Sequence, residues 1–396
     1  MKKIGFYQKD FGKTGWPERW VNSIAQILSE DDEVEIIHHN SELDPQIYGE
    51  SLGIDFSRIL FRCVPGPEWP NHADLQNKRT LKQESDFCRE YSEPYDLFVA
   101  TGNVPPFFSH ARRSLFLTSF PHFTFEEYYG HNTQEWESKG FFSRWWLNKY
   151  HYLAWRALFA SYQTIICPSL FVRQWCWNRW QLMPQVLYPI PREDFQFIEE
   201  KEPLIVSIGD FSAKNAKRQD VIISAFQEFW DKMIVRYDLD PVWRLCLIGN
   251  CSGLPEDEAF LEKLRKKAFG YPVEILTDAD EQTLKNTISK ATFYWSAQGY
   301  ELNENNVPDQ LEPFVITALE AQAAGTIPMI FHIGSAAEVV QHGMNGFLWS
   351  TFRELVDMTT AILIEKSILP FLKTGATKNA EIFNQTAFRE KLRKII

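Results

Sequence analysis

Short apolar runs separated by longer amphipathic segments recur along the whole chain. The apolar runs have the length of buried strands, and in order they are Ile4–Tyr7, Val34–His38, Leu97–Thr101, Ser114–Ser119, Thr164–Pro168, Leu204–Phe211 and Trp243–Gly249. The amphipathic segments Phe11–Leu28 and Ser169–Trp180 predict helices, the second with its serine as the cap. This alternation predicts an α/β protein with two Rossmann-like domains. Residues 41–90 are polar and proline-containing, and no element is predicted there.

The stretch Leu311–Pro328 combines two carboxylates with a helix start. Pro313 cannot lie inside a helix and restricts the residue before it, so the helix should begin near Val315 or Ile316. The following alanines and leucine favour the helix, and Gly325 ends it where a left-handed residue is needed.

The first turn of this helix suits a phosphate group, because unpaired N–H groups and the positive end of the helix dipole meet there. Glu320 lies about one turn further in, roughly 6 Å along the axis. Its carboxylate can accept hydrogen bonds from a sugar diol attached to that phosphate. The alternative is an ordinary helix start in which acidic residues stabilise the dipole. The stretch taken alone fits both interpretations.

The residues that follow favour a ligand site. Positions 329–349 contain a buried strand, a turn at Gly334 and Ser335, a short helix with Glu338, and a turn between Gly343 and Gly346. Together with Leu311–Pro328, this pattern resembles the retaining glycosyltransferases of family four, also called glycosyl transferases group 1. Their second domain carries E-P-F-G-x-x-x-x-E, then A-x-A-A-G, G-G-x-x-E-x-V and G-x-x-G-F-L. The resemblance covers nearly all of the second half of the chain.

The resemblance implies the GT-B fold, in which two Rossmann-like domains face each other across a cleft and a C-terminal helix crosses back to the first domain. An acceptor domain would comprise residues 1–195, completed by 378–396, and residues 196–377 would form the donor nucleotide-sugar domain. The implied activity is transfer of a sugar, with retention of configuration, from a nucleotide-sugar to a glycan or lipid-linked acceptor. Polysaccharide or cell-envelope glycan synthesis is the implied setting. Neither a metal nor another cofactor is expected.

The resemblance also implies a set of donor-binding residues. Glu312 would lie beside the donor sugar, Glu320 would bind the ribose hydroxyls, and Lys217 would face the diphosphate. Backbone and small side chains around the nucleotide would come from Gly209, Asp210, Gly249, Ser296, Gly299, Phe314, Val315, Ile316 and Thr317. The implied catalytic residues are Glu312 and Lys217, with His122 from the first domain.

Three of these positions differ from the family pattern. Asp210 stands where relatives have an arginine, Val315 replaces the glycine of E-P-F-G, and Ser296 replaces a histidine. A carboxylate about 4 Å from a diphosphate charge repels it by roughly 4 kcal/mol at an effective dielectric constant of 20. Two hypotheses are therefore open: a retaining hexosyltransferase, or a family member without activity that binds a sugar or a protein.

The first domain contributes weaker candidates. Gly12 and Gly15 stand where relatives have a glycine-rich turn beside donor or acceptor, although an ordinary loop also explains them. Ser119 occupies the end of a strand where many relatives place a histidine near the reacting sugar. His122 follows three residues later, and a structural or solvent-facing role is the alternative to a functional one.

Residues 125–162 are the most aromatic segment. Trp145, Trp146, Tyr150, Tyr152 and Trp155 alternate there with arginine and lysine. One interpretation is an interfacial helix on a lipid surface, which would suit a lipid-linked acceptor. The other is a core helix whose rings pack inward. Because the pattern is not clearly two-faced, we favour the core helix.

Composition narrows the choices further. A length of 396 residues favours two domains, and a net charge of -11 argues against nucleic acid as the main partner. The six cysteines are scattered without a C-x-x-C pair, so neither a zinc site nor a disulfide framework is predicted. No signal peptide and no run of membrane-spanning length is visible. A cytoplasmic protein is expected, and a peripheral position at the inner face of a membrane is the alternative.

Overall fold

The chain folds into two compact units, each built around one parallel sheet. The structure is a computed structural model that describes residues 1–9, 11–65, 86–192, 195–214, 217–237 and 242–396. Unit 1 contains Met1–Pro189 and Phe388–Ile396, and unit 2 contains Ile190–Ala387. The predicted boundaries are 195/196 and 377/378. The predicted α/β class with two Rossmann-like sheets is confirmed.

Unit 1 has a seven-stranded sheet in the order β3-β2-β1-β4-β5-β6-β7. Its strands are β1 Lys3–Tyr7, β2 Glu33–His38, β3 Ile59–Cys63, β4 Leu97–Thr101, β5 Arg113–Leu117, β6 Thr164–Cys167 and β7 Gln185–Val186. Its helices include Trp16–Leu28, Pro45–Leu52, Phe125–Tyr128, Gln134–Ser138, Phe141–Ala160 and Leu170–Trp180. The five strands predicted in this half are confirmed, each with its ends shifted by at most two residues.

The first strand lies at the centre of this sheet. Ile4 of β1 is opposite Val34 on one side and Leu97 on the other, and both neighbouring strands run parallel to it. A central strand of a parallel sheet is covered on both faces and therefore needs apolar residues throughout. Phe6 of β1 and its neighbour Val99 of β4 are both fully buried. The strand order reverses between β1 and β4. In open α/β sheets, ligands bind at the carboxyl ends of the strands at such a reversal.

Part of the segment left without a prediction is regular. Asp44 caps the helix Pro45–Leu52 through hydrogen bonds from the N–H groups of Gln46 and Ile47, and Gly53 ends it at a φ of 66°. The usual signals of a helix are an N-cap carboxylate, a proline in the first turn and a glycine after the last turn. All three are present here, so this helix could have been predicted from the sequence. Residues 66–85 lie outside the described part of the chain.

Unit 2 has a six-stranded sheet in the order β10-β9-β8-β11-β12-β13. Its strands are β8 Glu202–Ile208, β9 Arg244–Gly249, β10 Val273–Thr277, β11 Ala291–Ser296, β12 Ile327–Phe331 and β13 Phe347–Trp349. Its helices are Gln219–Tyr237, Pro255–Ala268, Glu281–Lys290, Ile316–Ala323, Ala336–Val339, Phe352–Ile364 and Leu369–Ile382, with short 3-10 turns at Pro308–Gln310 and Lys366–Ile368. The reversal of strand order lies between β8 and β11.

Strand β11 divides the core of unit 2 from its ligand side. Phe293 and Trp295 point into the hydrophobic core beneath the helices 219–237 and 255–268. Successive side chains of a strand point to opposite faces, so Tyr294 and Ser296 point the other way. They therefore lie on the face that the helix Ile316–Ala323 covers.

The last helix, Gln385–Ile395, returns to unit 1. Arg389 binds the carboxylate of Glu30, with an Nη2–Oε1 distance of 2.6 Å, and Arg393 Nη2 lies 3.2 Å from Asp31 Oδ2. Both acidic residues follow the first helix of unit 1. The predicted crossing of the C-terminal helix is thus confirmed.

The prediction that the aromatic rings of the helix 141–160 pack into the core is wrong for most of them. Trp155 and Phe159 are buried, but Phe142 is 82% exposed, Trp146 67% and Trp145 56%. The sequence pattern is misleading because aromatic residues lie on the inward and the outward faces alike. Where the structure describes the chain, no helix combines the length and the apolar character needed to cross a membrane.

Candidate functional site

Two glycines bring the carboxyl ends of β8 and β9 together. The N–H of Gly209 donates to the carbonyl of Ile248 at 2.9 Å. A Cβ atom on Gly249 would lie 2.0 Å from the carbonyl oxygen of Gly209, so no other residue fits there without a shift of backbone. Gln219 Nε2 donates to the carbonyls of Gly209 and Asp210 at 3.0 and 3.1 Å. The loop after β8 is thereby held against the start of the helix 219–237.

Lys217 crosses this edge to the loop before the helix 316–323. Its Nζ contacts the Glu312 carboxylate and lies 2.5 Å from Oε1 of Gln298, just after β11. The lysine stem packs against Gly209, where an added Cβ would lie 2.4 Å from the lysine Cγ. About a quarter of each ionic side chain is exposed, 29% for Lys217 and 21% for Glu312. The pair is therefore accessible to a ligand from solvent.

The helix Ile316–Ala323 begins where the sequence predicts. Val315 is its N-cap residue and provides no side-chain hydrogen bond, and Phe314 is fully buried beside it. Gly325 follows the helix with a φ of 75°, which confirms the predicted end. A helix start without a side-chain cap leaves its first turn able to bind an anion.

Glu320 is almost completely buried one turn inside this helix, with 4% of its surface exposed. Its Oε1 accepts from Nε of Arg192 at 3.1 Å. Nη1 of the same guanidinium lies 2.9 Å from Oε1 of Glu281, which also pairs with Lys285 at 3.0 Å. Burial opposes the charge of Arg192, but the carboxylates of Glu320 and Glu281 outweigh it and raise the pKa of the guanidinium. Arg192 and Glu281 were not among the residues predicted from the sequence.

Tyr294 is a further residue that the sequence did not suggest. It is buried on β11, and its hydroxyl interacts with the side chains of Ser296 and Thr317. Burial, and then the negative charge of Glu312, raise the pKa of Tyr294 above its usual range. The phenol is therefore neutral and links the end of β11 to the first turn of the helix. Its signal in the sequence was the alternation along ATFYWS, which places it on the same face as Ser296.

The carboxylate of Asp210 is turned towards the loop after β9. Its Oδ1 accepts from the backbone N–H of Asn250 at 3.3 Å and from Nδ2 of Asn250 at 3.2 Å. Arg218, the arginine nearest to Asp210 in sequence, binds other residues. It pairs with Asp220 and Glu301 at 3.3 and 3.0 Å and donates to the carbonyl of Tyr300 at 2.7 Å. Lys217 therefore supplies the positive charge beside Glu312.

The remaining predicted residues of unit 2 lie around the same sheet edge. Gly299 has a φ of 80°, and a Cβ there would lie 2.8 Å from Ile333 and 2.9 Å from Leu311. Ser335 stands at the second glycine of the family pattern. Its hydroxyl donates to the carbonyl oxygen of Glu312 at 3.4 Å. Ile316 is buried and Thr317 half-buried in the first turn. The structure thus brings together the predicted residues of the second half.

Unit 1 has a pocket of about 200 Å³ at the reversal between β1 and β4. Ser119 lines it, together with Lys9, Lys13, Glu18 and Asn103. The two predicted glycines flank this pocket in sequence and do not line it. A Cβ on Gly12 would meet Asn40 at 2.9 Å, and Gly15 precedes the helix 16–28 as its N-cap residue.

His122 lies in the loop after β5 and is not among the residues that line this pocket. Its N–H donates to the carbonyl of Phe120 at 3.1 Å, and its own carbonyl accepts from Arg179. Its ring packs edge-on against Phe120 at 5.3 Å. These contacts hold His122 in the loop, and its catalytic role stays a prediction.

Comparison with known protein families finds a match in unit 2. The model of the family described as glycosyl transferases group 1 matches residues 191–365, which include Lys217, Glu312 and Glu320. These residues, which make up most of unit 2, are similar to the glycosyl transferases group 1 family. No curated protein sequence matches the chain significantly. The match begins at Pro191, within three residues of the division between the two units.

Solved structures resemble the chain over both units. A glycosyltransferase from Rickettsia africae is 14% identical with a TM-score of 0.68, covering 99% of this chain and 96% of that chain. HepE from Anabaena, solved with UDP and glucose, is 14% identical with a TM-score of 0.65, covering 100% and 99%. WaaG, a glycosyltransferase involved in lipopolysaccharide biosynthesis, is 16% identical with a TM-score of 0.61, covering 99% of both chains. At these identities the likeness shows the GT-B fold.

Proposed function

We propose that this protein is a glycosyltransferase that moves a sugar from a nucleoside diphosphate sugar to a glycan or lipid-linked acceptor with retention of configuration. The observation that carries the proposal is the placement of Lys217 and Glu312 at the edge of the unit 2 sheet, next to an uncapped helix start, with Glu320 one turn further along that helix. These groups supply a cation, an anion site and a carboxylate that can accept from a diol.

The donor would bind at the carboxyl ends of β8 and β11. Its diphosphate would lie against Lys217 and the first turn of the helix 316–323, where the helix dipole favours negative charge. The ribose hydroxyls would donate to Glu320, whose Oε1 stays paired with Arg192. Backbone groups of the loops that start at Gly209 and Gly249 would enclose the base, because these loops are held together by hydrogen bonds.

The reaction breaks the bond between the anomeric carbon and the diphosphate oxygen. A bond from the acceptor oxygen forms on the same face of the sugar, and the acceptor proton passes to the leaving phosphate oxygen. Lys217 would stabilise the negative charge that develops on the diphosphate, and Glu312 the positive charge at the anomeric carbon. We propose that no metal takes part, because Lys217 and the helix dipole supply the positive charge.

The acceptor would be bound by unit 1. Its pocket at the β1/β4 reversal carries Lys9, Lys13 and Glu18, which can bind charged or hydroxylated groups of a glycan. His122 and the two glycines of the first loop remain predictions for this side. Polysaccharide or cell-envelope glycan synthesis at the cytoplasmic face of a membrane is the proposed setting, since WaaG of similar fold acts in lipopolysaccharide biosynthesis.

One observation favours a second candidate, a family member that binds a sugar or protein without transfer. Both charged groups of the donor site are paired within the chain, Lys217 with Glu312 and Glu320 with Arg192. A donor has to share or displace these partners, and Val315 adds a side chain at the helix start.

Nucleotide binding separates the two candidates. Melting temperature and calorimetric titration are measured with UDP, GDP, ADP and their sugar derivatives at up to millimolar concentration. For a transferase we expect one nucleotide to raise the melting temperature, because ligand that binds only the folded state stabilises it. Lys217→Met should remove that shift. Lys214→Met changes an exposed lysine of the same loop and should keep it.

The configuration of the product tests the chemistry. Once a donor is known, the coupling constant of the transferred sugar's anomeric proton identifies retention or inversion. Retention supports the proposal, and inversion contradicts it. A wild-type protein that binds none of the nucleotides would favour the second candidate instead.

A further inference from the structure

The helix Phe141–Ala160 presents a large aromatic face to solvent. At about 100° per residue, its exposed rings and one leucine fall within about 180° of the helix circumference. They are Phe141, Phe142, Trp145, Trp146, Tyr150, Tyr152 and Leu153. We call this set the outward face. Such a run of exposed aromatic side chains is unusual for a monomeric surface and marks an interaction site.

Other residues of the helix fix it to the rest of unit 1. Trp155 and Phe159 are buried, and Trp155 packs against Phe125 at 6.0 Å. His151 stacks on Tyr129 at 4.3 Å, and its Nδ1 is 2.8 Å from Nε2 of His131. These contacts hold the outward face in a defined orientation, and Tyr152 at its edge also contacts Phe125 at 6.2 Å.

Positive charge lies along the same face. Lys149 and Arg156 fall inside the arc of exposed rings, where Lys149 Nζ is 5.7 Å from the Trp145 ring and Arg156 Cζ is 5.9 Å from the Tyr152 ring. Residues 138–189 contain six arginines and lysines and no aspartate or glutamate, although the whole chain has a net charge of -11. The basic residues are thus concentrated in the part of unit 1 that carries the outward face.

This combination matches an anionic lipid surface. Tryptophan and tyrosine rings bury their apolar part at the depth of lipid headgroups, and lysine and arginine side chains reach the lipid phosphates. A bilayer can cover a continuous half of a helix circumference. No described helix is able to cross a membrane, so the contact would be made from one side.

We propose that the outward face of the helix 141–160 docks on a membrane surface rich in anionic lipid. Its rings would enter the headgroup layer while Lys149 and Arg156 contact phosphates. The purpose of this docking rests on the proposed function, because it would bring the enzyme to a lipid-linked acceptor. Lipid binding itself requires no nucleotide.

Vesicle co-sedimentation tests the proposal on the full chain. Vesicles of phosphatidylcholine containing 30% phosphatidylglycerol are compared with vesicles of phosphatidylcholine alone, and tryptophan fluorescence is recorded. We expect binding to the anionic vesicles with a blue shift of emission, weak binding to neutral vesicles, and loss of binding as salt is raised. Absence of binding to the anionic vesicles would overturn the proposal.

Variants then identify the face. The pair Trp145→Ser and Trp146→Ser should lower vesicle affinity at least tenfold, and Trp177→Ser, an exposed tryptophan of the next helix, should not. Lys149→Gln should lower it about fivefold, since one basic residue near an anionic surface contributes about that factor. Lys263→Gln removes an exposed lysine of unit 2 as a control for net charge. Equal binding by all four proteins would contradict the assignment.

Two further results separate the alternatives. If light scattering shows a dimer that the paired tryptophan variant turns into a monomer, the outward face joins two copies of the chain and lipid docking is wrong. Lys217→Met should keep full vesicle binding, because the donor site takes no part in it. If the protein binds the vesicles but transfers no sugar, the proposed function is wrong and the lipid-docking proposal is still supported.

Discussion

Arg192 Nε lies 3.1 Å from Oε1 of Glu320, although 128 residues separate the two in sequence. The carboxylate is almost fully buried, whereas a third of the arginine side chain is exposed. A buried carboxylate is stable in its charged form only with a partner of opposite charge. The pair therefore fixes the first residues of unit 2 against the helix that carries Glu320. It also orients the carboxylate that we propose for ribose binding.

Replacement of Arg192 by leucine should destabilise unit 2. Removing one partner of a largely buried pair leaves the other charge uncompensated, and we expect a loss of about 3 kcal/mol of unfolding free energy. Glu281→Gln removes the half-exposed partner of the same arginine and should cost less than about 1 kcal/mol. Urea unfolding followed by circular dichroism measures both. Equal losses in the two variants would contradict the role of burial.

Lys217 and Glu312 should separate binding from chemistry. We expect Lys217→Met to weaken nucleotide-sugar binding by about tenfold or more, because the cation acts on the bound diphosphate as well as in the transition state. Glu312→Gln keeps the size of the side chain and should leave binding within a few-fold while lowering turnover about a hundredfold. Calorimetric titration and release of nucleoside diphosphate are the measurements. Unchanged turnover in Glu312→Gln would exclude its proposed role.

The elements that follow local rules were predictable. Pro313 and Gly325 delimit the helix of the site, and the structure places it at Ile316–Ala323 with no correction needed. The apolar runs gave most strands because a parallel strand covered on both faces is apolar throughout. The helix Pro45–Leu52 carried equally clear signals at Asp44 and Gly53.

Contacts between distant parts of the chain were not predictable from one sequence. Nothing near Arg192 indicates that it meets Glu320 and Glu281, since the fold alone brings these positions together. The charge of Asp210 suggested repulsion of a diphosphate, but the structure turns this carboxylate to Asn250. The sequence left an interfacial and a core helix open for this segment, and the core was favoured because aromatic residues on both sides of a helix give no periodic signal.

Gly249 is expected to tolerate no side chain. The Cβ of an alanine would lie 2.0 Å from the Gly209 carbonyl oxygen, so the backbone of one loop must move. We expect Gly249→Ala to cost about 2 kcal/mol of stability and to weaken nucleotide binding. Gly140→Ala, with no atom within 4 Å of the added Cβ, is the matched control and should be close to neutral. Thermal unfolding with and without nucleotide measures both effects.

The ion pair of the C-terminal helix should make stability depend on acid pH. The hydrogen bond from Arg389 lowers the pKa of Glu30 below its usual value of 4.5. A carboxyl whose pKa is lowered by folding contributes stability above the unfolded value, and this contribution disappears as pH falls through the folded value. Because Glu30 is partly exposed, the contribution should be below about 1 kcal/mol. The difference in unfolding free energy between the wild type and Glu30→Gln should shrink between pH 6 and pH 3. A constant difference would contradict the pairing.

A crystal structure with the nucleotide-sugar that gives the largest melting shift tests the central claim most directly. We predict a diphosphate in contact with Lys217 Nζ and the first turn of the helix 316–323, and ribose hydroxyls within hydrogen-bond distance of the Glu320 carboxylate. An unoccupied edge with the Lys217–Glu312 and Arg192–Glu320 pairs unchanged, or a nucleotide bound elsewhere on the chain, would contradict the account.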